Sequence, residues 1–277
     1  FVTGRGLAFA AVIGAITAGS SLPHLFRGAV SGIHWQTVVM LSSLAALVSM
    51  AGFLWFAREG PYPFGKAVFD PRQIGRVLRD RNVALVNLGY LGHMWELYAM
   101  WAWLLAYLSA AYEQNAVGTA TDASLLTFAA VAAGVIGCFA GGVLSDRFGR
   151  TATTAGMMIA SGTCALLIGF VFDGPQWLLV LVVIVWGITI IGDSAQFSAA
   201  VTELADRSYI GTALSLQMGM GFALTILMIW LMPHLAEWLG GWQWTFSILA
   251  VGPFIGATAM LVLRRRPEAE RLANGRR

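Results

Sequence analysis

The chain has 277 residues, of which 58% are hydrophobic and only 11% charged, with a mean hydropathy of +0.72 and a net charge of +3. Soluble domains carry about a quarter charged residues, so a soluble fold is excluded, and nothing outside the apolar stretches is long enough for a second folded domain. So small a net charge leaves no nucleic-acid footprint, and Cys138 and Cys164 sit inside apolar stretches without metal-ligand spacing, so no metal or cofactor is expected.

In chain order the sequence predicts eight membrane spans, at 7–26, 35–57, 83–111, 122–144, 151–172, 177–203, 209–233 and 242–264. Crossing a bilayer takes ~20 helical residues, and each segment is long enough. No cleavable leader is expected before the first, which opens without basic residues beyond Arg5. The connections alternate in charge. One side collects Arg5, Arg58, Lys66, Arg72, Arg76, Arg79, Arg81, Arg147, Arg150, Arg207, Arg264, Arg265, Arg266, Arg271, Arg276 and Arg277, while the other has only Arg27. Basic loops stay in the cytoplasm, so both ends of this chain are expected there, in a plasma membrane (an inner membrane if bacterial). Trp177, Trp238, Trp242 and Trp244 fall at the outer ends of spans and fit an interfacial belt, as do Trp103, Tyr107 and Tyr112.

The connection from 57 to 82 carries six basic and three acidic residues. Gly60-Pro61-Tyr62-Pro63 is incompatible with regular helix. Asp70-Pro71 then reads as an N-cap followed by proline at the first helical position. Ile74, Val77 and Leu78 share a face opposite Arg72, Arg76 and Arg79, as in a short amphipathic helix on the inner leaflet; a solvated tether between two bundles is the alternative.

Acidic residues within spans are costly and by default functional. Glu96 lies near the middle of the third span and Asp193 past the middle of the sixth. His93, Glu96 and Met100 follow i, i+3, i+7 spacing, so a His93–Glu96 pair sharing a proton is expected. Asp193 and Gln196 share a face and suit a polar or cationic part of a substrate. Trp95, Tyr98 and Trp101 trace a stripe that reads as either a stacking wall or packing. The structural alternative for Glu96 and Asp193 is a hydrogen bond to a neighbouring helix.

Two stretches repeat. Gly6-Leu7-Ala8, Leu22-Pro23-His24-Leu25 and Trp35-Gln36 match Gly211-Thr212-Ala213, Met232-Pro233-His234-Leu235 and Trp242-Gln243 at an offset of about 210 residues. The repeat pairs spans one and two with seven and eight, and predicts that four further helices precede residue 1.

The strongest local motif is Gly142-Val143-Leu144-Ser145-Asp146-Arg147-Phe148-Gly149-Arg150, in a tight turn between spans four and five. It resembles the loop motif of the major facilitator superfamily, one basic place short because Thr151 stands last. The resemblance covers essentially the whole chain and implies an all-α integral membrane protein comprising helices 5 to 12 of a twelve-helix transporter. On it, 1–57 are the last two helices of the N-terminal bundle, 58–82 the central loop, 83–264 the C-terminal six-helix bundle and 265–277 a cytoplasmic tail. It implies that Glu96 and Asp193 line a central cavity. It also implies that Gly142, Asp146, Arg147, Gly149, Arg150, Glu203 and Arg207 form a cytoplasmic gate, with Glu203 meeting Arg147 or Arg150 and Asp146 near Arg5 and Gly6. The first span has Leu22 before Pro23 where the family's drug–proton antiporters place glycine, which weakens a drug-efflux reading, and the glycine-rich signature of nitrate porters is not visible in span four.

The expected function is secondary active transport of a small organic solute, coupled to protons as symport or antiport. The expected partners are that solute, the coupling ion, the lipid bilayer and the missing helices of the same protein. The competing readings are a non-transporting sensor or scaffold and, least supported, a membrane-embedded enzyme. No nucleophile, metal cluster or phosphate loop accompanies His93 and Glu96, so an enzyme is not expected.

Overall fold

Helices cover every apolar segment of the computed structural model, which describes residues 5–30, 32–58 and 69–277. Gly60-Pro61-Tyr62-Pro63, Lys66 and the side chain of Arg5 lie outside the described residues, and with them the expected neighbourhood of Asp146 and Arg5. In order come α1 (Arg5–Ala29), α2 (Trp35–Phe56), α3 (Ile74–Arg79), α4 (Arg81–Gln114), α5 (Ala120–Phe148), α6 (Arg150–Leu167), α7 (Gln176–Ile191), α8 (Ser194–Leu204), α9 (Ile210–Trp238) and α10 (Val251–Arg264). Short 3-10 turns at Pro71–Gln73, Thr245–Ala250 and Pro267–Gly275 precede α3, precede α10 and form the tail.

Among the described residues, five stretches are long and apolar enough to cross a membrane: Trp35–Phe56, Ala120–Phe148, Gln176–Leu204, Ile210–Trp238 and Thr245–Arg264. The helices α4 and α6 fall short of that apolarity, because α4 carries Asn87, His93, Glu96 and many aromatics while α6 is rich in Gly, Ser and Thr. The sixth predicted span, Gln176–Leu204, is one apolar stretch with an irregular turn at Gly192-Asp193, where the backbone stays in the right-handed helical region, between α7 and α8. The first turns of the eighth, Thr245–Ala250, are 3-10 rather than α.

Local chemistry sets the helix ends. Asp70 accepts from the amide of Arg72 with Pro71 next to it, and Asp80 accepts from the amides of Asn82 and Val83 to start α4. Thr119 and Asp122 form a reciprocal capping box at the start of α5. Gly149 joins α5 to α6 at φ +92°, and a side chain there would collide with the carbonyls of Arg276 and Arg277.

The helices α4 and α5 are central. The first packs on α9 and α10, the second on α1 and α7, and α6 closes against α10 and α7. Glycines let these backbones touch. A Cβ at Gly137 or Gly141 would run into the carbonyl of Ile188 or Gly192, and one at Gly187 into that of Ala130. Gly92 and Gly252 face each other the same way across α4 and α10. Tyr107, expected at an interface, is buried: α4 is enclosed, its hydroxyl donates to the carbonyl of Ile168 at 2.8 Å and its ring stacks on Phe246. Tyr112 is buried too, whereas Trp177 and Trp238 are exposed.

At the other extreme, α2 has no buried residue, and Trp55 and Phe56 are about four-fifths exposed (79% and 82%). Of the predicted amphipathic face in α3, Val77 is buried and Leu78 is exposed, because the segment lies on α9 and α4, tied by the amide of Asp70 donating to Thr212 at 2.9 Å.

Overpacking of a close-packed contact costs about 1–3 kcal/mol. Gly137→Val is therefore expected to lower the melting temperature of the full-length protein in detergent, while Gly156→Ala, with no atom within 4 Å of the added methyl, leaves it unchanged or raises it slightly. Equal stability of the two variants contradicts the α5–α7 contact.

Candidate functional site

Among the described residues, two clusters of ionisable side chains lie inside the bundle. The first is central and is organised by α4. Glu96 is 1% exposed, and both its oxygens are occupied. The indole of Trp186 on α7 donates to Oε1 at 2.7 Å, and the hydroxyl of Ser161 on α6 donates to Oε2 at 3.0 Å. One turn earlier, Nδ1 of His93 lies 2.9 Å from Oδ1 of Asp193, both side chains almost fully buried. Their contact is an ion-pair approach without an aligned hydrogen bond, and Nε2 of His93 has no partner among the described residues. The expected His93–Glu96 pair is thus replaced by two pairs. Asp193 reaches His93 from the junction of α7 and α8, next to Gly192. The His93 ring also packs against Tyr90 and Phe197, at centroid distances of 6.2 and 5.6 Å.

The other expected members divide. Met100 is fully buried in the apolar core. Tyr98 and Trp101 pair edge-on at 5.7 Å, with Tyr98 also against Phe222 of α9. Trp95 turns instead toward the α10 side, its indole donating to the carbonyl of Ile248 at 3.1 Å. The three aromatics therefore form no single wall. Gln196 points away from Asp193 and belongs to the second cluster.

That second cluster sits at the basic end of the bundle. Arg150 is 2% exposed although it is an arginine, and it makes four hydrogen bonds. Nε and one terminal nitrogen grip Glu203 at 2.7 and 2.6 Å, a bidentate geometry. The other terminal nitrogen donates to Gln196 at 2.9 Å and to Ser145 at 3.2 Å, and Ser145 itself donates to Gln196 at 2.6 Å. Arg150 is thus the partner of Glu203, and Arg147 instead lies over the Phe148 ring at 5.2 Å, exposed. Gly142 is buried in α5. Arg207 is exposed and makes no ion pair among the described residues. Beside it, the amide and hydroxyl of Ser208 hold the Asp206 carboxyl below the usual carboxylate range.

The tail covers this cluster. Ala269 and Leu272 are fully buried against the core around Leu204 and Leu263. The amide of Ala273 donates to Glu203 at 3.0 Å, and the backbone oxygen of Arg277 accepts from Thr151 and Arg264. Arg276 reaches the carbonyl of Asp146. Sequence reasoning missed Ser161, Trp186, Ser145 and the tail. Trp186 had a signal: it is the one polar-tipped side chain in the aliphatic run from Leu178 to Ile188, and a buried indole N–H needs an acceptor. Ser161 and Ser145 had none, since small residues in spans look like packing.

Span-length helices enclosing buried ionisable side chains define a multi-pass membrane protein. The chain belongs to the major facilitator superfamily, whose sequence profile matches residues 97–277. Two Mycobacterium tuberculosis proteins (strains CDC 1551 / Oshkosh and ATCC 25618 / H37Rv), each named as a probable nitrate/nitrite transporter NarK2, are 29% identical to it over 171 residues, 60% of this chain and 42% of theirs. Among solved structures, the E. coli fucose:proton symporter FucP shares its fold at TM-score 0.62 and 15% identity, covering 84% of this chain and 55% of that one. A bacterial homologue of the iron transporter ferroportin in an outward-facing state aligns at TM-score 0.59 and 13% identity, over 95% and 62%. The chain spans less than half the length of the curated relatives it matches. These matches are to transporters and not to enzymes.

Removing one partner of a buried ion pair costs about 3–5 kcal/mol, because the other charge is left uncompensated. Arg150→Ala and Glu203→Ala are each expected to lower the melting temperature of the full-length protein more than the double substitution does. Arg150→Lys, which keeps the charge but loses the fork, falls between wild type and Arg150→Ala. Losses that simply add in the double variant contradict the pairing.

Proposed function

We propose that this chain is the greater part of a secondary active transporter that moves a small organic solute by alternating access, coupled to protons as symport or antiport. In this reading it contributes helices 5 to 12 of a twelve-helix fold, with 1–57 in one bundle, 58–82 as the loop between bundles, 83–264 as the second bundle and 265–277 as a tail. The missing helices of the same protein supply the other half of the cavity. The basic end faces the cytoplasm, in a plasma membrane or bacterial inner membrane.

The observation that carries the proposal is the central cluster, in which Glu96 and the His93–Asp193 pair sit almost without solvent on facing helices. Keeping ionisable side chains there is expensive unless they act. Proton binding at Glu96 or at His93–Asp193 changes the charge of the cluster, and the solute is read in the space beside it. The Arg150–Glu203 grip, with Gln196 and the tail, acts as the cytoplasmic gate in its closed form. In this reading the grip ties α6 to α8 at the cytoplasmic end of the second bundle and is released as that side opens.

A second reading comes from the 29% identity to the nitrate/nitrite transporters. Against it, the described spans hold acids and a histidine at mid-depth but no lysine or arginine, so an inorganic anion would need its cationic partner from the other bundle.

Counterflow in vesicles containing the full-length protein separates the readings. A labelled panel of small organic solutes and nitrate is expected to exchange unaltered for one organic class. Exchange of nitrate alone favours the second reading, and no exchange of any solute favours a sensor or scaffold. With the solute so found, Glu96→Gln is expected to abolish accumulation driven by a proton gradient while sparing exchange. Unchanged accumulation contradicts proton coupling at Glu96.

A further inference from the structure

The geometry around Glu96 assigns different tasks to its two oxygens: Oε2 carries the proton, Ser161 is the hydroxyl that adapts to both charge states, and Trp186 is a positioning residue that holds Oε1. The inference rests on the proton-coupled reading above and deepens it.

The argument starts from what each partner can do. An indole N–H donates and never accepts, so Trp186 fixes Oε1 as an acceptor in both states of the carboxyl. A proton on Oε1 would meet that N–H head-on. Oε2 faces a different partner. The hydroxyl of Ser161 has a donor and two lone pairs, and two acceptors are within its reach: Oε2 of Glu96 at 3.0 Å and the carbonyl of Met158 at 3.2 Å, one turn back on its own helix. With Glu96 ionised, Ser161 donates to Oε2. With Glu96 neutral, Oε2–H donates to the serine oxygen and the hydroxyl turns to Met158. Every polar atom stays satisfied in both states, which a buried site demands.

The step adds one proton from a water on the side to which the site is open and returns it to water on the other. The carboxyl passes from charge −1 to 0, and no other bond changes. Hydrogen bonds to an ionised group are roughly twice as strong as neutral ones, so protonation loosens the tie between α4 and α7 through Trp186 while Ser161 keeps α4 on α6. The titratable groups near enough to feel this charge are His93 on α4, Cys164 on α6 and Asp193 at the α7–α8 junction. From the 245–250 turn the apolar Phe246 lies edge-on to Trp186 at 5.6 Å.

The test is a pH titration of the purified full-length protein by infrared difference spectroscopy, reading the carboxylic C=O band that disappears in Glu96→Gln. It needs no solute. Ser161→Ala is expected to shift the frequency of that band, because the acid loses its acceptor, and Ser161→Thr to restore it. Trp186→Phe is expected to raise the frequency of that band, because the carbonyl oxygen Oε1 loses its donor, and to move the titration midpoint upward by about one pH unit, since a donor to the ionised form is gone. If Trp186→Phe does not fold, the serine variants decide. The inference is overturned if no band is lost in Glu96→Gln, or if the folded variants titrate with wild-type midpoint and frequency. Failure of the transport reading looks different: the band titrates as described, yet Glu96→Gln accumulates solute like wild type.

Discussion

A charge buried in a bilayer must find partners inside the protein, and α4 brings two groups to mid-depth that impose this demand on everything around them. Glu96 draws a donor from α6 and another from α7. His93, one turn away, draws Asp193 from the α7–α8 junction. Three helices are therefore held in register by polar contacts as well as by the apolar core that surrounds them. In lipid, where tails are as apolar as leucine, that polar registry and the glycine contacts carry the specificity that hydrophobic burial supplies in water.

The two polar clusters share one rigid element. The eleven residues of α8 begin next to Asp193, present Gln196 to Arg150 after one turn and end at Glu203, which Arg150 grips with both arms. Gly141 and Gly137 of α5 lie directly on the backbone at the junction and just before it, so α7 and α8 are seated where no side chain intervenes. A change at the central cluster that shifted the start of α8 would carry Gln196 and Glu203 with it. The tail adds a further hold on the same glutamate through the Ala273 amide.

The sequence was most legible where a rule follows from length and charge alone. Apolar segment length located the helices, Asp70-Pro71 marked a cap, and the Asp-Arg-x-Gly-Arg turn marked the α5–α6 corner, where Gly149 takes φ +92°. It was least legible where a choice depends on three-dimensional neighbours. Helical spacing placed His93 and Glu96 on one face and suggested that they pair, but each finds a better partner across a helix interface. Neighbours in space, not the run itself, decide that Asp193 meets His93 and Gln196 meets Arg150. Tyr107 has the amphipathic chemistry of a belt residue, and only the enclosure of α4 shows that its hydroxyl finds a carbonyl inside. The tail is rich in charge and reads as solvated, yet Ala269 and Leu272 are its anchors.

The central claim is that solute movement and proton movement are one event at this cluster. Its most direct test is the external pH of weakly buffered vesicles containing the full-length protein, recorded when the solute found by counterflow is added without any imposed gradient. The account predicts an immediate proton flux tied to solute movement in wild type, inward for symport or outward for antiport, that is absent in Glu96→Gln. Solute uptake that proceeds in wild type with no change in pH would contradict it.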